Sequence, residues 1–244
     1  MLTVIHIVFL REHNRIAGLL SQINPSWLDE KLFQETRKIL TAIYQHIVFN
    51  EFLPVIVGQS TVFGAGLLSK QSGHFLSYSP WIDPSTVNEF GAAAYRFGHS
   101  LVGRFVRSFD QNFQQKGSNE LRLDLFNNRV IRNVEVPKDF GPTRIGRWMS
   151  STFMRKNDRF ISDQLRNHLF ESSSTGSGKS DGFDLASFNI QRGRDHGVPG
   201  YNKFREYCGL YPASMFNTGQ MGFRDHDDAT VSKLSNVYRY IWVL

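Results

Sequence analysis

Apolar side chains return every three to four positions along most of this chain, and that spacing constrains its fold more than any other feature. From Leu2 to about Gln22, residues Ile5, Phe9, Ile16, Leu19 and Leu20 gather toward one side of a helix that Asn24-Pro25 stops. Asp29 is placed to cap a second, longer helix with apolar positions Leu32, Phe33, Ile39, Leu40, Ile43 and Ile47. Pro54 kinks or ends it, and Gly58 follows. Helical patterns far outnumber strand-like ones, and there is no internal repeat. The fold class is therefore mainly α.

Further along, Thr61 to Pro80 is rich in Gly and Ser and reads as loop. A helix is expected from Asp83-Pro84-Ser85-Thr86 to about Arg107, with Ser85 or Thr86 as cap and Glu89 as the capping-box partner. Asp110 to Gly141 shows no period, which predicts short helices and loops. Another helix is expected from about Arg144 to Phe170, a helical turn or two from Asn202 to Tyr207, and a last helix from Thr230.

Residues 172–180 form the one low-complexity stretch and read as a flexible Ser/Gly loop. Its end, Gly176-Ser177-Gly178-Lys179-Ser180, resembles half of a phosphate-binding loop. The full pattern needs Gly where Ser173 stands, and a helical pattern leads in where a strand should.

Composition narrows the function. A chain of 244 residues can bury roughly 70–75% of its unfolded surface. Its 21 Phe residues predict a bulky aromatic interior. The net charge of +6 would suit an anionic partner, but the basic residues are dispersed, so no nucleic-acid partner is expected. Cys208 is the only cysteine, so no internal disulfide can form and the redox compartment stays open. Met1 to Leu10 lacks a basic leader and a cleavage site, and it is too short to span a bilayer. Neither a signal peptide nor a transmembrane segment is expected. Both ends fall inside apolar segments, so the chain reads as truncated at both ends.

Two stretches carry chemistry. Arg96 lies three residues before His99, so both project from one helical face, and Ala92, Ala93 and Ala94 leave room for a flat body beside it. That imidazole could ligate a haem iron and that guanidinium could pair with a propionate. A hydrogen-bonded core histidine would look the same. The second stretch is Asn189 to Tyr201, whose three Gly, one Pro and alternating charges predict a tightly folded loop, not a helix. Arg192 and Arg194 are either anion clamps or parts of a structural Arg–Asp network. Asp195 beside His196 is a poor base pair, because neighbours seldom point the same way. No nucleophile elbow or zinc spacing occurs.

Several segments in order resemble the animal haem peroxidases, in particular members of the peroxinectin- and chorion-peroxidase-like kind. They are Leu10 to Arg15, Phe33 to Ile39, Phe52 to Gly58, Arg96 to Leu101, Asp158 to Phe160, Asn167 to Phe170 and Asn189 to Tyr201. The resemblance implies a helical haem peroxidase domain of which residues 1–244 are one partial, proximal portion. It implies His99 as axial ligand to the iron of a non-covalent b-type haem. Asn189 would accept a hydrogen bond from the far nitrogen of that ring, and Arg96 and Arg192 would pair with propionates.

The resemblance further implies hydrogen peroxide as oxidant, an unknown donor, and a secreted, extracellular setting. The family's distal His, its catalytic Arg, its haem-esterifying carboxylates and its calcium ligands match no position here. His6 and His13 do not stand in for the distal His, so no catalytic residue is assigned. Cys208 matches a cysteine whose usual later partner is absent. Two functions follow: a peroxidase of which this chain supplies the proximal haem site, or a catalytically inactive fragment acting in binding or adhesion. Exposed apolar surface around half a pocket predicts a missing distal half or self-association.

Overall fold

The computed structural model describes residues 1–70, 72–74, 78–125, 141–172 and 181–241. They fall into two compact units, Met1–Pro84 with Arg104–Phe153, and Ser85–Gly103 with Met154–Leu244. The expected flexible loop lies, from residue 173 to 180, outside the described residues, together with its phosphate-loop-like ending.

The first unit is built on α1 (Leu2–Ile23) and α2 (Asp29–Ile47). They run antiparallel: Phe9 meets Tyr44 edge-on at 5.4 Å, and His13, one turn later, meets Phe33 at 5.4 Å. Val4 and Ile16 are buried on α1 and Thr36 on α2. Asp29 is the first residue of α2, and the N-cap is Leu28 with no side-chain cap. Its carboxylate therefore acts on the helix dipole and not as the expected cap.

Pro54 does not end the helix. A π-helical turn, Val48–Phe52, takes up the proline's missing N–H, and α3 (Leu53–Val57) continues with Pro54 in its first turn. Gly58, at φ +89°, stops it in a conformation that a side chain would strain. The continuous run Asp29–Val57 is by length and composition long enough to cross a membrane, a test that core helices of soluble proteins also pass. Its first turns carry the ion pairs Lys31–Glu35 and Lys38–Glu35. A short α4 (Gln59–Gly64) occupies the start of the expected loop.

The region expected to hold only short helices and loops opens instead with an antiparallel hairpin. Strand β1 (Phe105–Phe109) pairs with β2 (Gln115–Glu120), with an irregularity between Ser108 and Phe109. Asp110 shapes the turn by accepting from the amides of Asn112 and Gln114, both at 2.9 Å. Gly117 faces Ser108, where a Cβ would come within 2.8 Å of the hydroxyl. The sequence Gln-Lys-Gly-Ser-Asn-Glu has no β-branched or aromatic residue, so β2 sent no strand signal. A helical turn, α6 (Leu121–Asp124), follows it.

Helix α7 (Gly141–Ser151) buries Gly141, Pro142 and Ile145 and packs on α1 and β1. The expected helix to Phe170 stops there. In the second unit, Asp158 accepts from the Phe160 amide at 2.8 Å, a local turn that competes with helix. Helical geometry returns only for α8 (Asp163–Arg166).

The rest of the second unit contains α9 (Leu185–Asp195), α10 (Tyr201–Tyr207) and α11 (Asp228–Val237). Its core is Ala213, Phe223 and Val231, with Tyr201, Phe216 and Ile241 against it. Phe223 stacks on Tyr201 at 5.4 Å and on Phe216 at 5.7 Å. Buried Arg205 donates to the Tyr201 hydroxyl, the Tyr211 carbonyl and the Asp225 carboxylate. Leu169 and Phe183 form an isolated antiparallel bridge, and Ser172 donates to Asp181 beside it.

Candidate functional site

His99 does not sit on one long helix. The expected helix over 83–107 is divided into α5 (Asn88–Ala92), a 3₁₀ segment (Ala94–Leu101) and β1. Ala93 breaks it at φ −135°, ψ −66°. Val87 is the N-cap of α5, with no side-chain cap, so neither Ser85 nor Thr86 fills that role. The change of helix type favours the site. At three residues per turn, positions i and i+3 eclipse, so Arg96 and His99 share one edge of the 3₁₀ segment more closely than an α-helix would allow.

Asn189 also lies where the composition predicted otherwise. The stretch expected to be a tight loop is helical up to Asp195. Asp184 starts α9 by accepting from the Ala186 amide at 2.8 Å. Its end is a Schellman motif: Val198 donates to the Gly193 carbonyl, Gly197 to the Arg194 carbonyl, and Gly197 takes φ +64°. One interior glycine costs about 1 kcal/mol, which the two caps offset. The glycines thus mark the end of a helix, not its absence.

These local choices bring three of the four expected site residues together. Nδ2 of Asn189, not the accepting oxygen expected there, lies 2.9 Å from Nδ1 of His99, across 90 positions of chain. The same amide's Oδ1 accepts from Nη1 of Arg96 at 2.9 Å. Nε of Arg96 donates to the Gly91 carbonyl at 3.3 Å. The His99 ring is half-buried, and among the described residues its Nε2 has no hydrogen-bond partner. Burial first, and the Arg96 charge second, hold its pKa below the ordinary histidine value. The neutral ring, the form that ligates metals, is favoured.

Arg192 stands one turn beyond Asn189 on α9, exposed, and pairs with Asp195 at 3.1 Å. Of the two roles open for it, the Arg–Asp pair is the one formed among the described residues. Asp195 does not orient His196, whose Nδ1 turns to Asn88 Oδ1 at 2.8 Å. His6 and His13 are in the other unit, on α1.

Sequence reasoning missed two supports of the site. Ser100, buried beside His99, donates to Asn157 Oδ1 at 2.9 Å. Asn88 and His196 tie α5 to α9. Neither pair has a spacing that marks it in the sequence. Around the site Phe90, Tyr95, Phe188 and Ile190 are exposed apolar side chains.

Residues 1–242 match the family model for the animal haem peroxidase. The chain is 39% identical over 251 residues to a peroxidase-like protein of Margaritifera margaritifera, covering 98% of this chain and 30% of that protein. It is 41% identical over 222 residues to chorion peroxidase of Aedes aegypti, covering 91% of this chain and 27% of the relative. The chain thus spans less than a third of either relative. Among solved structures, peroxidase A of Dictyostelium discoideum superposes with a TM-score of 0.77 at 29% identity, over 98% of this chain and 41% of that one. A fatty acid alpha-dioxygenase of Arabidopsis thaliana shares the fold at 17% identity and a TM-score of 0.69, over 97% of this chain and 40% of that one. A mainly α fold matched by this model over nearly its whole length makes the chain a member of the animal haem peroxidase family.

Proposed function

We propose that this chain forms the proximal side of a haem site in a peroxidase that reduces hydrogen peroxide and oxidises a donor. His99 would ligate the iron of a non-covalent b-type haem, Asn189 would hold the far nitrogen of its ring, and Arg96 and Arg192 would pair with the propionates. The observation that carries this reading is the contact of the His99 ring with the Asn189 side chain at 2.9 Å. Two polar side chains 90 positions apart converge there, with the opposite ring nitrogen left unpartnered among the described residues. A metal-ligating histidine needs one ring nitrogen for the metal and a side chain against the other to fix the ring plane, and His99 has a side chain in that second place.

The residues fit the group by chemistry. The imidazole is favoured in its neutral form, and a guanidinium shares its edge of the 3₁₀ segment. Haem, when bound, supplies the redox chemistry toward peroxide. This chain's part is to bind and orient. His99 would offer the Nε2 lone pair once the ring proton is on Nδ1, Asn189 restrains ring rotation, and the arginines would neutralise carboxylates, each such charged bond contributing roughly 1.5–3 kcal/mol. Asn189 is neutral, so it leaves the ring less anionic than a carboxylate partner would. The family's extracellular members, chorion peroxidase among them, support a secreted setting.

An absorption titration with haemin tests the site. The intact chain is expected to give a ligated Soret band and His99→Ala only the spectrum of free or loosely held haemin. Equal spectra for the two would remove His99 from the role.

A further inference from the structure

The polarity of the Asn189 amide has a consequence for His99. Oδ1 is the acceptor end, and Arg96 Nη1 occupies it at 2.9 Å. What the amide turns to His99 is therefore its NH₂ group, at 2.9 Å from Nδ1. An amide nitrogen donates and does not accept. Nδ1 must receive that hydrogen bond with a lone pair, so the single proton of the neutral ring resides on Nε2. Nε2 is also the nitrogen that must offer a lone pair to a metal. The ring is held in the tautomer that cannot ligate.

We propose that Arg96 acts through Asn189 as a lock on the tautomer of His99, and that a carboxylate ligand releases it. This rests on the proposed haem site. For Nε2 to bind a metal cation, the ring's single proton must move, by exchange with solvent, from Nε2 to Nδ1. Nδ1–H then needs an acceptor, which the amide provides only after turning over, Oδ1 toward His99. That turn places the NH₂ group against the Arg96 guanidinium, donor against donor, so their bond is lost. A carboxylate that draws Arg96 away removes the obstacle. Metal at His99 and carboxylate at Arg96 therefore favour each other, coupled through one side-chain amide. Arg96 is in this sense a positioning residue as well as an anion partner.

Nitrogen NMR of the ¹⁵N-histidine-labelled full chain, with no haemin added, reads the tautomer directly; His99→Gln assigns the signal. The intact chain is expected to show His99 protonated at Nε2 and unprotonated at Nδ1. Asn189→Asp keeps the shape but offers only acceptors, so the proton should move to Nδ1 while Arg96 stays paired. Arg96→Leu frees the amide, and the Nε2–H preference should be lost. Nδ1–H in the intact chain, or an unchanged tautomer in Asn189→Asp, overturns the lock. A second arm reads the coupling with haemin and its dimethyl ester, whose propionates carry no charge. Arg96→Leu should bind the ester more tightly than the intact chain does, and free haemin less tightly. The same ranking for both forms overturns the coupling. Failure of the intact chain to bind haemin would count against the haem site and leave the tautomer result standing.

Discussion

Asn88 and His196, 108 positions apart, hold each other by two hydrogen bonds: the His196 ring Nδ1 with Asn88 Oδ1 at 2.8 Å, and the Asn88 amide to the His196 carbonyl at 3.1 Å. Asn88 is the first residue of α5 and His196 caps the end of α9. The clasp therefore joins the start of the segment leading to His99 to the end of the helix bearing Asn189. Both partners are exposed, so the gain is modest. Asn88→Ala is expected to cost about 1 kcal/mol in denaturant unfolding and to speed hydrogen exchange at the end of α9. No change in either measurement would make the clasp incidental.

Removing the amide behind the ring should weaken the metal side of the site without unfolding the helix. Asn189→Leu keeps a side chain of similar size on a half-buried position but leaves Nδ1 of His99 unheld. Haemin affinity is expected to fall about 10- to 100-fold, the usual effect of losing a partner behind a ligand. A spectrophotometric titration against the intact chain measures it, and an unchanged dissociation constant would exclude Asn189 from the role.

The aromatic stack around Phe223 carries the core of the second unit. Phe223 is 1% exposed and is stacked between Tyr201 and Phe216. Phe223→Ala opens a cavity that stacked rings cannot refill, at a cost of about 3–5 kcal/mol. Equilibrium unfolding should register it. A loss below about 1 kcal/mol would mean that the loop from Ala213 to Phe223 collapses onto the space.

Acid should fray α11 through its cap. Asp227 accepts from the Thr230 amide at 2.6 Å and pairs with Arg159 at 3.0 Å. Bonds from the Thr230 hydroxyl and amide, then Arg159, hold its carboxyl below the ordinary aspartate value of 3.8. A depressed acid contributes stability that is complete above the ordinary value and lost as pH falls through the folded one. Helicity by circular dichroism should therefore drop in the acid range below 3.8. In Asp227→Asn, which still caps but does not titrate, the drop should be smaller. Identical acid profiles for the two chains would contradict this.

The long apolar periods of α1 and α2 were legible because a helix that buries one face must repeat its apolar residues at 3.6-residue spacing. His99, Arg96 and Asn189 were nameable because the motifs around them are strung along the chain in a family's order. Local propensity failed where a few polar contacts decided the backbone. Gly193 and Gly197 read as loop, yet Gly193 lies inside a helix and Gly197 just past its end, in the Schellman motif that closes it. Gln115 to Glu120 carries no strand signal, yet pairing with β1 makes it a strand. The long helix expected around His99 breaks at Ala93, which no spacing announced.

The sequence by itself determined that this is a mainly α chain with an imidazole and a guanidinium three residues apart, because period and spacing are local properties. Only the tertiary structure decided that Asn189 reaches His99, which end of its amide faces the ring, and that Arg96 pairs with the other end. Those relations are made by hydrogen bonds between atoms some ninety positions apart, and the direction of a hydrogen bond is written in geometry and not in residue order.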